Sequence, residues 1–106
     1  MDKPNISYIE QLSGDDETFK KEFINILVTE FPQEKKTYEK AISDINYEDA
    51  VQIVHKLKHK FNILSMSQAY TLAVDYEEEL KLKNMEKDPE FNEILIIIEG
   101  YLKTIS

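Results

Sequence analysis

Hydrophobic residues along this chain recur at three- and four-residue intervals with no strand-like alternation, the period of helices packed on one face. Near the N-terminus Ile6, Ile9 and Leu12 predict a short leading helix that stops at Ser13-Gly14. Asp15 or Asp16 is then placed to cap a longer element with the apolar stripe Phe19, Phe23, Ile26, Leu27 and Phe31. Pro32 interrupts that stripe, and Tyr38, Ala41, Ile42 and Ile45 resume it in a compatible phase. This predicts a kink, or a break with a restart, and no domain boundary. Asn46 closes the element. In the next one Ala50, Ile53, Val54, Leu57, Phe61 and Leu64 all fall within roughly 60° of Leu57 at about 100° per residue, so that face is core. Ser65-Met66-Ser67 reads as a turn, followed by a helix with Ala69, Leu72, Ala73, Tyr76 and Leu80 inward. Residues 84–89 form the last connection, and Phe91, Ile94, Leu95, Ile98, Tyr101, Leu102 and Ile105 make the final stripe. Four substantial amphipathic helices on short links predict an all-α fold, an antiparallel up-down four-helix bundle with a short extra N-terminal helix.

Composition strengthens this picture. With 106 residues and 42% hydrophobic content the chain is long enough for one core, and 1–106 reads as a single domain. Two Gly and three Pro are too few for the many tight turns of a sandwich or barrel. The chain has no Cys, which excludes disulfides and thiolate metal sites and fits a reducing compartment. The longest apolar run, Ile94 to Ile98, is far short of a membrane span, and the first residues lack the apolar region of a signal peptide, so the expectation is a soluble chain. A formal charge of −8 opposes binding to nucleic acid or to an anionic membrane.

One stretch runs against that charge. From His55 to Lys60 every residue but Leu57 is Lys or His. His55 lies roughly 160° from Leu57 around the helix, and Glu48, Gln52, His59, Asn62 and Met66 fall on the same outward arc. The imidazole is therefore expected to face solvent and not to be a core histidine. Val51, Ile63 and Met66 have no place in the core stripe, and with Gln52, His59 and Asn62 between them they form a candidate docking face.

The pattern His55-Lys56-Leu57-Lys58-His59 resembles the signature of the histidine-containing phosphotransfer (HPt) domains of two-component phosphorelays: His, any residue, then Leu-Lys-Gly, on the second long helix of a four-helix bundle. It matches at the His, the Leu and the Lys, with His59 where the family has glycine. The flanks are similar too: "SGDDETFKKEFINILVTEF" resembles the first bundle helix, "YEDAVQIVHKLKH" the approach to the site, and "AYTLAVDYEEEL" the helix with a characteristic acid, here Glu77. The resemblance runs from about Leu12 to Leu80, and the last helix matches only in character.

The resemblance implies that His55 accepts a phosphoryl group from the aspartyl phosphate of a receiver domain and returns it to another. Lys58 would place its charge beside the phosphoryl oxygens, and His59 would modulate the site by crowding it, donating a hydrogen bond or competing as acceptor. Ser65 stands where the family usually has a second glycine. The partners implied are receiver domains of response regulators or hybrid sensor kinases in the cytoplasm. No cofactor of the chain's own is expected; the divalent metal would sit in the receiver. Residue chemistry agrees, because an exposed mid-helix imidazole is a competent phosphoryl acceptor, and loose phosphoryl transfer asks mainly for positioning and charge stabilisation. Lys56 and Lys60, farther around the helix, are expected to steer or to be solvated. Two other classes stay open. The i, i+4 spacing of His55 and His59 suits a shared metal ion, with Glu48 or Gln52 as further ligands. A bundle with a degenerate site would only dock a partner. No nucleophilic triad, Gly-rich phosphate loop or ATP-binding domain is present in the sequence, so an autonomous enzyme is not expected.

Overall fold

The computed structural model describes residues 2–106, and every regular element in it is a helix. The helices are α1 (Ser7–Ser13), α2 (Glu17–Ser43), α3 (Tyr47–Ile63), α4 (Ser67–Lys81) and α5 (Asp88–Ile105). α2 packs on α3 and α5, α4 on α3 and α5, and α1 lies on α2; the α3–α4 contact is the most extensive. The molecule measures 45 × 22 × 19 Å. Its long axis is close to the length of α2, whose 27 residues at about 1.5 Å each span roughly 40 Å. No helix of the described residues is long and apolar enough to cross a membrane.

Side-chain caps set several boundaries. Asp16, not Asp15, accepts from the Phe19 backbone N–H at 3.0 Å and starts α2. Asn46 begins α3 as well as following α2, since its Oδ1 accepts from the Asp49 N–H at 3.1 Å. α4 has no local side-chain cap, for the Met66 side chain has no oxygen to offer. Asp2 supplies one from the other end of the chain: its carboxylate accepts from the N–H groups of Gln68, at 2.9 Å, and Ala69, at 3.4 Å. Nearby, the Asn5 N–H donates to the Leu64 carbonyl at 2.9 Å. α5 starts at Asp88, with Pro89 inside its first turn, where a missing N–H costs nothing; the expected connection over 84–89 is shorter by those two residues.

The ends of α2, α3 and α4 repeat one geometry. Ile45, Ser65 and Lys83 each adopt the left-handed backbone, with φ of 54°, 62° and 62°. In each case the next residue's N–H reaches back five residues to a carbonyl: Asn46 to Ala41, Met66 to Phe61 and Asn84 to Glu79. These are Schellman turns made without glycine.

The turn geometry explains one correction. Met66 is completely buried and so does not belong to the expected docking face. Projecting the α3 phase as far as 66 placed it outward, but the Schellman turn ends the helix and directs its second following residue back toward Phe61. The stripes also need trimming. Leu12, Phe19, Ile26 and Ile45 are exposed, whereas Leu27, Phe31, Tyr38 and Ala41 are the buried residues of α2. Pro32 neither breaks nor restarts α2, because one apolar phase continues past it and only the Val28 carbonyl loses its partner. The stripe assigned to α3 is buried throughout. Lys60 joins it: it is 8% exposed, with its ammonium 3.0 Å from carboxylate oxygens of both Glu30 and Glu34 on α2. Expected to steer or be solvated, it instead ties α3 to α2.

At the centre each of the four long helices contributes one aromatic ring. Phe91 of α5 lies 4.8 Å from Tyr38 of α2, 5.2 Å from Tyr76 of α4 and 5.5 Å from Phe61 of α3, centroid to centroid. The two phenols meet at 2.8 Å, and Tyr38 donates to the Asp88 carboxylate, so the polar groups of this cluster satisfy one another.

Candidate functional site

His55 sits midway along α3, its side chain 54% exposed, on the arc that the periodicity assigned to it. The α3–α4 contact determines what faces it. Glu77 continues the α4 core positions, four residues after Ala73 and three before Leu80, and is 8% exposed. A carboxylate buried there needs partners, and two side chains of α3 provide them. Its Oε1 lies 2.7 Å from His55 Nδ1 and its Oε2 2.8 Å from Lys58 Nζ.

Burial pushes the Glu77 carboxyl up, but the hydrogen bonds from Lys58 and His55 and their charges more than offset this and hold it below the usual carboxylate range. Glu77 is therefore ionised near neutrality and only accepts hydrogen bonds. It follows that His55 Nδ1 carries the hydrogen. In the neutral ring the lone pair then belongs to Nε2, on the side away from Glu77. The carboxylate fixes both the ring's orientation and its reactive nitrogen.

Lys58 is half-buried, and its ammonium engages Glu77 and does not project freely over His55. Its side chain is 11% exposed, and the ammonium is also 5.9 Å from the centre of the Tyr70 ring. His59 is exposed one turn on, with its Nε2 3.4 Å from His55 Nε2 and the two rings edge to face at 85°. The His59 imidazole thus stands directly before the nitrogen bearing the lone pair.

Around this pair, Gln52 and Asn62 are exposed, and Val51 and Ile63 are half-buried and packed against the core margin. The surface around His55 keeps these four of the five expected docking residues and loses Met66. Among the described residues no group of three or more His, Cys, Asp or Glu side chains is gathered as for a metal ion, so Glu48 does not complete a set with the histidines. The role of Glu77 went unread in the sequence, where it stood out only through the family resemblance. A signal was there in its spacing from Ala73 and Leu80. Compared with known proteins, the chain matches no family model, no curated protein and no solved structure.

Proposed function

We propose that the chain is a histidine-containing phosphotransfer domain, in which His55 accepts a phosphoryl group from the aspartyl phosphate of one receiver domain and passes it to another. The observation that carries this reading is the 2.7 Å contact between Glu77 and His55 Nδ1, which leaves the lone pair on the outer Nε2. That nitrogen attacks phosphorus, the bond from phosphorus to the aspartyl oxygen breaks, and the aspartate leaves as a carboxylate. Nδ1 keeps its hydrogen. The phosphorylated ring is then cationic, and the ionised Glu77 beside it offsets the charge as it develops. Lys58 balances the same carboxylate and keeps a positive charge near the incoming phosphoryl oxygens.

On this reading α2 to α5 form an antiparallel up-down four-helix bundle in a single domain, supported by the cycle of neighbours α2–α3–α4–α5–α2. The partners are receiver domains of response regulators or hybrid sensor kinases, docking over Val51, Gln52, Asn62 and Ile63. Each receiver brings the divalent metal that the transfer uses, and the chain works in the cytoplasm.

Incubating the chain with a phosphorylated receiver should produce acid-labile phosphate on it. His55→Gln should abolish the label, and His59→Gly should retain it and speed its appearance by clearing the front of Nε2. Label that persists on His55→Gln and maps to His59 would overturn the assignment. The position of His59 favours a second reading, a bundle that docks receivers without accepting phosphate. Receiver binding with no label on either the unmodified chain or His59→Gly would decide for it.

A further inference from the structure

We infer that His55 and His59 together chelate one divalent transition-metal ion, zinc before others, on the outer face of α3. Zinc binds imidazole nitrogen at about 2.0–2.1 Å, and at a tetrahedral angle two such nitrogens stand about 3.3–3.4 Å apart. His55 Nε2 and His59 Nε2 are 3.4 Å apart. The ring centres are 5.0 Å apart and the ring planes stand at 85° to each other. An ion accepting both lone pairs asks for almost no change in the separation of these nitrogens.

Glu77 contributes from behind. A histidine ligand is oriented and made more basic when its other nitrogen donates to a carboxylate, and His55 Nδ1 does so at 2.7 Å. Both imidazoles are exposed, so an ion reaches them without opening the fold. With no third His, Cys, Asp or Glu gathered there among the described residues, water fills the remaining positions and the ion exchanges with solvent. Neutral imidazoles select zinc, nickel or copper over the hard ions magnesium and calcium, and a formal charge of −8 attracts cations in general. Bound zinc occupies the same Nε2 lone pair that attacks phosphorus, so it would switch the acceptor off. That consequence, unlike the chelation, rests on the phosphotransfer reading. It gives the imidazole at 59 a use that glycine could not have.

Calorimetric titration of the full chain with zinc chloride, with magnesium chloride as the hard-ion control, tests the chelate with metal alone. Zinc affinity should fall at least tenfold in both His59→Gln and His55→Gln, whose folding circular dichroism verifies, and magnesium should show no such site. Equal zinc affinity in the unmodified chain and His59→Gln, or zinc bound no more tightly than magnesium, would overturn the inference and leave the 3.4 Å contact as an internal hydrogen bond only. In the transfer assay, stoichiometric zinc should slow labelling of the unmodified chain more than tenfold and that of His59→Gly far less. A chain labelled on His55 that ignores zinc would sustain the phosphotransfer reading and sink this one; a chain that binds zinc through both histidines and is never labelled would do the reverse.

Discussion

Glu77 divides its two oxygens between His55 and Lys58, so one carboxylate both selects the reactive nitrogen and holds a buried ammonium. Glu77→Gln removes the charge that compels Nδ1 to donate and leaves Lys58 covered without a counter-ion. On the proposed phosphotransfer reading, the transfer rate should fall at least tenfold. Lys58→Ala should lower it by roughly ten- to a hundredfold, about 1.4 to 2.7 kcal/mol of barrier, read in single-turnover transfer from a phosphorylated receiver. Stability carries its own signature. Because the folded carboxyl is held below its ordinary value, its contribution is present above the usual glutamate range and is lost as pH falls through the depressed value. Urea titrations between about pH 3 and 6 should show that loss in the unmodified chain and a shallower one in Glu77→Gln. An identical acid limb in both would mean that the pair with Lys58 adds nothing to folding. The direction of His55 was legible, since the helical period alone sends it outward. Lys60 was not, because its charge pointed to solvent although its phase is that of the core, and the contacts of Glu77 depend on how α4 lies against α3.

Helices were legible as elements because their stripes are long and their links short. The turns between them were less so. Glycine marks a left-handed position in a sequence, whereas Ile45, Ser65 and Lys83 occupy such positions with nothing to announce them. That missing signal also misplaced Met66. Ile45 is the costliest of the three, being β-branched at φ 54° and 65% exposed, so its side chain returns little packing for the strain. Ile45→Asn, which tolerates this backbone, should stabilise the protein by about 0.5–1 kcal/mol, raising Tm by about 2–6 °C in thermal denaturation followed by circular dichroism. An unchanged or lower Tm would show that the isoleucine packs better than its exposure indicates.

For the whole molecule, the decisive feature is the meeting of Tyr38, Phe61, Tyr76 and Phe91, one ring from each long helix. The apolar periodicity predicted that all four would be inside, but the partnership of the two hydroxyls with Asp88 depends on how α2, α4 and α5 are placed in space, which no local pattern encodes. Burial pushes the Tyr76 phenol up to about 12, and burial with the bond to Asp88 pushes Tyr38 up as well. A phenol that resists ionising when folded stabilises the fold fully below its unfolded value of about 10, and that stability is lost as pH rises through the folded value. Urea midpoints should therefore hold between about pH 7 and 9 and fall steeply above about 10. Tyr38→Phe should cost about 1–3 kcal/mol at pH 7 by leaving Tyr76 and Asp88 without their shared partner, and should soften the alkaline fall. An alkaline limb unchanged in that variant would assign the loss to other groups.

Asp2 holds the first turn of α4 from 66 positions away in sequence, and this has a consequence for the order in which the molecule assembles. A clasp of that span closes a long loop and gains nothing until the α3–α4 hairpin already exists to receive it. It belongs after the folding barrier. Asp2→Ala should accordingly speed unfolding several-fold and leave the refolding rate almost unchanged in stopped-flow denaturant jumps, whereas slower refolding would place the clasp in the nucleus. Before it closes, the amides of Gln68 and Ala69 are free to exchange with solvent, so the helix that carries Glu77 to His55 is the last to be locked at its leading end.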